Sequence, residues 1–488
     1  MGDLALLSAT ELLGQLRAGE LSSRELLEHY LARVEEHNPD LNAVVTIDLA
    51  QARATADSCD AALRANGPIG PLHGLPMTVK DQFDTAGMRT TFGIRANARF
   101  VPGDDAVPVA RLKAAGAVVF GKTNLPPLAA DVQTYNRVFG TTNNPWDLSR
   151  TPGGSSGGSA VAMSAGLSGL ELGSDLAGSI RIPAHYCGVY GHKPSFGTMS
   201  FPNGTSPHPR INRAEYDIAV PGPLARSADD LELALNVLAG PSPENSVAWR
   251  LDFPPARRAS LVDYRVAAWL DDPACPTDPE VATPLRATVE VLRAAGVQVD
   301  MVGPELNLKA AFRNFQRLLY GLLSNSLPLA RLWPLGLPFL FVPPVPGDNQ
   351  LSRVLRYGAA SHRDWILAHE AREEYREAWA SFFERYDVLL CPVSPVAAIS
   401  HNHHFGGAII FRTMRGTGRR RRYVDQMVWP GVVGASYLPA TVAPVGMTEG
   451  GLPVGVQIVG AYLEDRTTID FARRLAGVIG GFEPPPGY

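Results

Sequence analysis

Hydrophobic spacing changes period along this chain in a recurring order. Leu26, Leu27, Tyr30, Leu31 and Val34 share one face of a 3.6-residue period. Ser22 with Glu25 three residues on has the capping-box spacing that opens such a helix. A helical stretch over 106–115 stops at Gly116, and the continuous apolar run Ala117–Phe120 follows as a short buried strand. The same order returns at Val291–Ala295, Gly296 and Val297–Val299, and Ser361 to Tyr386 reads as a long, charge-laced amphipathic helix. Helices alternating with short apolar strands predict an α/β protein, its sheet covered by helices on both faces. Residues 200–215 and 240–260 are Pro-rich and read as loops, while 305–360 is Leu/Pro-rich and irregular. No segment has the composition of a linker, so 1–488 is read as one large domain.

Composition narrows the class. With 488 residues, 45% hydrophobic and 19% charged, the chain is long and apolar enough to bury a large core. A net charge of −4 offers no global attraction to nucleic acid or an anionic membrane. Cys59, Cys187, Cys275 and Cys391 are scattered without a CxxC pair, which fits core thiols in a reducing compartment. The N-terminus lacks a signal-peptide layout, and Leu6 spoils a myristoylation start. The most apolar stretch, Leu327–Val345, is cut by prolines and Arg331, so it suits a pocket wall or surface loop better than a membrane span. A cytoplasmic location is the expectation.

Candidate chemistry lies in two places. Lys80 follows Met77, Thr78 and Val79 and precedes Asp81, an apolar setting that draws a lysine inward and toward its neutral form. A solvated strand-end charge is the plainer alternative. From Gly153 to Pro183 runs a Gly/Ser-dense segment that places Ser155 and Ser179 24 residues apart in glycine-flanked turns. Flexible linkers also look like this, but Pro152 precedes the run and the helix-compatible Ala160–Ala165 follows it. A hydroxyl nucleophile with a lysine base is the chemistry these residues suit, and the small residues before Ser179 could aim backbone N–H groups at one oxyanion.

Together these segments resemble the amidase signature family. The words that carry it are GGSSGGS at Gly153–Ser159, SDLAGSIRIP at Ser174–Pro183, YCGVYGHKP at Tyr186–Pro194 and GLPMTVKD at Gly74–Asp81. Roughly the first 240 residues and the last 60 carry the likeness, and 241–430 reads as a less family-like middle portion. The resemblance implies a single domain built on a mixed, twisted sheet. It implies Ser179 as nucleophile, Lys80 as base, and Ser155, after a cis peptide bond from Gly154, as proton relay. The N–H groups of Leu176, Ala177, Gly178 and Ser179 would form the oxyanion hole. Two positions depart from the family's usual pattern: Ser174 replaces Thr, and Ala177 stands where Gly is common.

Other motifs carry less. Gly116-x4-Gly121-Lys122-Thr123 spells a P-loop, but its middle is the strand and it follows a helix, the reverse of the required context. His401, His403 and His404 lack an accompanying carboxylate or cysteine at ligand spacing, so a solvated loop is expected and no metal. Arg419–Arg422 reads as an exposed basic loop.

The leading expectation is an amidohydrolase acting on a small-molecule amide, most simply a linear one, or an ester or carbamate, without cofactor or metal. No nucleic acid and no membrane are expected as partners; a homodimer is compatible with it. Leu306–Pro346, the 400–430 segment, Ala129 and Gln133 are the candidate pocket wall. One alternative is the amidase subunit of a tRNA-dependent amidotransferase, against which stand SIRIP, where those subunits typically have SIRQP, and the net negative charge. The other is an inactive binding protein on the same scaffold.

Overall fold

The computed structural model describes residues 4–201, 215–323, 353, 356–358, 360–403, 412–416 and 420–488. Its centre is a sheet of eleven strands among these residues. In chain order they are β1 (Val44–Ile47), β2 (Pro76–Lys80), β3 (Val118–Thr123), β4 (Glu171–Asp175), β5 (Tyr190–Lys193) and β6 (Val220–Ala225). Then follow β7 (Val266–Ala268), β8 (Val299–Asp300), β9 (Val388–Pro392), β10 (Ala440–Met447) and β11 (Pro453–Val459). In space they run β1-β3-β2-β4-β6-β5-β10-β11-β9-β7-β8. The pairs β3–β2, β2–β4, β9–β7 and β7–β8 are parallel and the others antiparallel, so the sheet is mixed.

Both faces of the sheet are buried, which is why its strands read as continuous apolar runs rather than alternating ones. In β9, Val388 and Leu390 enter one core while Leu389 and Cys391 enter the other, the two-residue period of a strand. Helices Ala9–Ala18, Ser23–Leu41, Ala228–Leu238, Pro279–Ala294 and Asp465–Ile479 supply the first core. Helices Gly157–Ser164, Arg181–Cys187, Leu308–Leu323, His362–Arg385 and Val428–Ala435 supply the second. No helix among the described residues is long and apolar enough to cross a membrane.

Local signals land where the pattern puts them. Ser22 and Glu25 form a reciprocal capping box, and Leu26, Leu27, Tyr30 and Val34 face the protein interior. Helix Val107–Ala114 ends before Gly116, whose φ of +94° turns the chain into β3. Pro279–Ala294, Gly296 at φ +87° and β8 repeat that order, and Ser361 caps His362–Arg385 through Asp364. The strand inside the P-loop spelling is β3, and Lys122 near its end is fully buried. All four cysteines are buried and unpaired. Leu327–Val345, most of 200–215 and His404 lie outside the described residues.

Two loop expectations need correction. Arg420–Arg422 is a strand paired with Thr413–Arg415, and its alternation turns Arg421 inward, where its guanidinium binds the Asp278 carboxylate. His401 and His403 are half-buried rather than solvated, and His403 stacks on Tyr135 with ring centroids 4.0 Å apart. Among the described residues no cluster suits a metal ion.

Candidate active site

β2 and β4 run parallel side by side, and their carboxyl ends place Lys80 beside Ser174 and Asp175. Helix Gly157–Ser164 packs across these ends with every residue buried. Such an approach needs its glycines: a Cβ on Gly158 would lie 2.4 Å from the backbone nitrogen of Asn124. The peptide bond entering Ser155 from Gly154 is cis. The Ser156 N–H donates to the carbonyl of Ser179 at 3.1 Å, which ties the two serine segments together.

Lys80 has no solvent exposure, and its Nζ lies 2.7 Å from Ser155 Oγ, 3.0 Å from Ser156 Oγ and 2.9 Å from Ser174 Oγ. Counting protons orients this cluster. Ser174 Oγ donates to Gln82 Oε1 at 2.7 Å, and Ser156 Oγ donates to the Ser174 carbonyl at 3.2 Å. Both hydroxyls therefore accept from Lys80. A neutral amine has two N–H groups and one lone pair, so the lone pair faces the remaining hydroxyl, that of Ser155. Burial drives Lys80 down to about 7 against the charges of Asp175 and Glu171, so a large neutral fraction exists near neutral pH. Geometry and charge agree on Lys80 as a proton acceptor.

Ser179 sits in a turn built around one carboxylate. Asp175 Oδ1 accepts from the Gly178 N–H and from Arg181 Nη2, each at 2.8 Å. Its Oδ2 accepts from the Ile180 N–H at 3.1 Å and Arg181 Nε at 2.9 Å. Arg181 is anchored in turn by the Pro430 carbonyl at 2.8 Å and Gln457 Oε1 at 2.7 Å. Burial alone would raise Asp175, but the Arg181 charge and these hydrogen bonds hold it at about 2. Gly178 has φ +108°, and a Cβ there would meet Ile182 and Pro430 at 2.8 Å, so only glycine fits. Its N–H serves Asp175, so of the four N–H groups expected to face an oxyanion that of Gly178 is already engaged. Ala177 needs no positive φ, and its methyl group lines the cavity in front of Ser179.

That cavity has a volume of about 110 Å³, and both Ser155 and Ser179 reach its wall. Phe92, Leu128, Ala129, Phe201, Leu319 and Met427 give it an apolar lining. Ala129 therefore lies where the sequence places it, as do parts of the two expected wall segments, 306–346 and 400–430. Gln133 does not line the cavity. Its Nε2 donates to the Asn402 carbonyl at 2.8 Å and Tyr423 Oη at 3.0 Å, and its Oε1 accepts from the Asn402 N–H at 2.9 Å. It braces the outer wall instead. Asp131 reaches the cavity, but its carboxylate already accepts from Arg412, Tyr135 and Tyr423 at 2.6, 2.9 and 2.7 Å.

Sequence reasoning missed Gln82, Asp175, Arg181 and Glu171. Asp175 and Arg181 stand in plain sight as charges inside a small-residue word, a place where an unpaired charge could not stay buried. Glu171, on β4, is pushed up to about 7 by burial, against hydrogen bonds from Thr78, Ser159 and Thr123.

Comparison with known proteins identifies a family and a fold. The profile of the family described as Amidase matches residues 25–469, the middle portion included. A glutamyl-tRNA(Gln) amidotransferase subunit from Synechococcus sp. (strain CC9605) is 33% identical over 490 residues, covering 94% of each chain. The structure of 6-aminohexanoate cyclic dimer hydrolase complexed with substrate is similar at a TM-score of 0.79, with 27% identity over 99% of both chains. A crystal structure of an amidase gives a TM-score of 0.77 at 30% identity, over 97% of this chain and 100% of that one.

Proposed function

The chain belongs to the amidase family, and from that premise we propose that it hydrolyses a carboxylic amide through an acyl-enzyme on Ser179. The observation that carries this reading is the Lys80–Ser155 contact of 2.7 Å beside a cavity that Ser179 also lines. Lys80 in its neutral form takes the Ser155 proton as Ser155 takes that of Ser179. Ser179 Oγ then attacks the carbonyl carbon. The N–H groups of Leu176, Ala177 and Ser179 hold the oxyanion, each such donor contributing ~3 kcal/mol to the transition state. Collapse of the tetrahedral state expels the amine, which leaves with the proton returned through Ser155. Water, deprotonated along the same route, releases the acid. Esters and carbamates pass through the same oxyanion and are further substrates. Linear amides are the simplest fit.

The apolar lining supports an aryl, cyclic or otherwise bulky apolar acyl group. Cyclic amide hydrolysis by a structural relative is in keeping with that. Hydrolysis of a panel of anilides, primary amides, esters and carbamates tests the proposal. Ser179→Ala should lower turnover by roughly 10⁴-fold or more, and a fluorophosphonate should label the wild type alone. Wild-type rates retained in that variant would remove Ser179 as nucleophile. A preference for small polar amides would remove the apolar acyl class.

A second reading is the amidase subunit of a tRNA-dependent amidotransferase, favoured by the curated relatives. A zwitterionic amide donor would need a cation for its carboxylate, and the described cavity wall has none. Asp131 and Asp175, the carboxylates at that wall, are already paired with Arg412 and Arg181. Turnover that appears only after co-expression with partner subunits would establish this reading over the first.

A further inference from the structure

Left-handed backbone gathers at the acyl cavity. Among the described residues, seven other than glycine take a positive φ, and three of these stand in that one wall: Phe92 at +51°, Leu128 at +57° and Ala129 at +53°. A fourth, Ile218 at +59°, lies between Tyr216 and Ala219, which line the same cavity. In this conformation Cβ crowds the backbone, and bulky residues such as Phe and Leu avoid it. Gly93, next to Phe92 and at +67°, shows the usual answer: a Cβ there would meet the Pro126 carbonyl oxygen at 3.0 Å, and the residue is glycine. Phe92 and Leu128 keep large side chains in the same kind of turn.

Hydrogen bonds hold these turns in place. The Phe92 N–H donates to the Asp81 carbonyl at 3.0 Å, the Leu128 N–H to the Phe92 carbonyl at 3.0 Å, and the Ala129 N–H to the Pro126 carbonyl at 2.9 Å. The two turns are thus one unit, anchored one residue beyond Lys80. Core packing does not account for the side chains it carries. Neither Phe92 nor Leu128 belongs to either hydrophobic core, and Leu128 is only half-buried. Both instead line the cavity that Ser155 and Ser179 reach. Strained residues persist where their surroundings over-determine them, and they gather at ligand clamps.

We propose that Phe92 and Leu128 are the specificity-determining pair of the acyl cavity, held by their strained turns against the acyl group and favouring an aryl group over a small one. The assignment rests on hydrolysis through a Ser179 acyl-enzyme. The Phe92 ring offers an aryl group a face or edge contact beyond simple burial, and Leu128 adds apolar area on the same wall. A wall fixed in this way is set before the substrate arrives, so binding carries little ordering cost.

The test compares Leu128→Ala with Leu128→Gly, reading kcat/KM on benzoyl and acetyl anilides together with thermal unfolding. Both variants lose the side chain, but only the alanine keeps a Cβ in the left-handed turn. The benzoyl-to-acetyl ratio should fall by roughly tenfold in each, the scale of a lost apolar contact in a pocket. Leu128→Gly should melt roughly 1–2 °C above Leu128→Ala, despite the chain freedom that glycine adds. Phe92→Leu keeps apolar bulk and should lower the ratio ~3-fold through loss of the ring. An unchanged ratio in all three variants would overturn the pair, with Ser179-dependent hydrolysis still standing. Leu128→Gly melting below Leu128→Ala would overturn the strain assigned to the turn. No hydrolysis by the wild type, with Ser179 unlabelled by a fluorophosphonate, would remove the acyl-enzyme reading and the pair's role with it.

Discussion

The floor and the wall of the acyl cavity are built on different principles. The floor, from Lys80 through Ser155, Ser156, Ser174 and Asp175, is buried, and its polar atoms hold one another in a directed chain. The wall is assembled from segments far apart in the chain, among them Phe92, Leu128, Leu319 and Met427, whose contacts are apolar and undirected. A hydrogen-bonded cluster in a low-dielectric interior tolerates little: losing one member leaves another unsatisfied. An apolar surface tolerates change in proportion to volume. The floor should therefore fix the reaction, and the wall should select the acyl group.

The largest test of that division is Asp175. Asp175→Asn leaves the buried Arg181 without its counter-charge, and breaking such a pair costs about 3–5 kcal/mol of stability. Thermal unfolding should show that loss together with a collapse of turnover. Adding Arg181→Met removes the stranded cation, and exchange of a whole buried pair for apolar groups is close to neutral. The double variant should regain stability but not activity, because the amide keeps only one acceptor oxygen and so one of the Gly178 and Ile180 N–H groups faces a donor instead of the acceptor that shapes the turn. Recovery of both would mean the carboxylate supports the fold without positioning Ser179.

The same division governs what the sequence discloses. Ser155, Ser179 and the capping box at Ser22 are legible because short local words specify them. The helix–Gly–strand order is legible because the hydrophobic period changes at each glycine. Contacts between distant segments leave no local word. Ser174 meets Gln82 only because β2 and β4 pair in parallel, and Gln133 finds Asn402 across 269 residues. Gln133, polar and near the serine motif, reads as a substrate ligand until its partners are seen. Arg421 reads as solvated because composition cannot tell which residue of a short strand turns inward. The described part of the wall at Leu319–Leu323 follows no motif, since any apolar residue of suitable size fills it.

A smaller effect is expected at Gln82, which acts on Lys80 through Ser174 and should behave as a positioning residue. Gln82→Leu frees the Ser174 proton to compete with that of Ser155 for the Lys80 lone pair. Turnover should fall by ~10-fold, less than the 10²–10⁴ that the positioned base itself contributes. The pH profile separates this role from a packing role. With Lys80 at about 7, the rate of the wild type should rise through that pH as the amine loses its proton, and fade below it. Gln82→Glu keeps the acceptor but brings a negative charge, which favours the protonated amine and moves the midpoint above 7. A midpoint that stays in place would break the link from Gln82 to Lys80.

Ala177 stands where floor and wall meet, so it sharpens the comparison most finely. In the proposed mechanism its N–H is one of the oxyanion donors, while the residue lines the cavity in front of Ser179. Since its backbone needs no positive φ, glycine is not required there, and Ala177→Gly costs at most ~1 kcal/mol of stability through added chain freedom. Removing the methyl group should leave turnover of a small acyl substrate within ~3-fold. For a bulky acyl group, kcat/KM should rise by a few-fold, the scale of ~0.8 kcal/mol per methyl-sized group. Side-by-side kinetics on acetyl and bulky aryl anilides read this directly. A uniform loss above ~10-fold on both would instead assign the alanine to the floor, its restricted backbone holding the oxyanion donors in line.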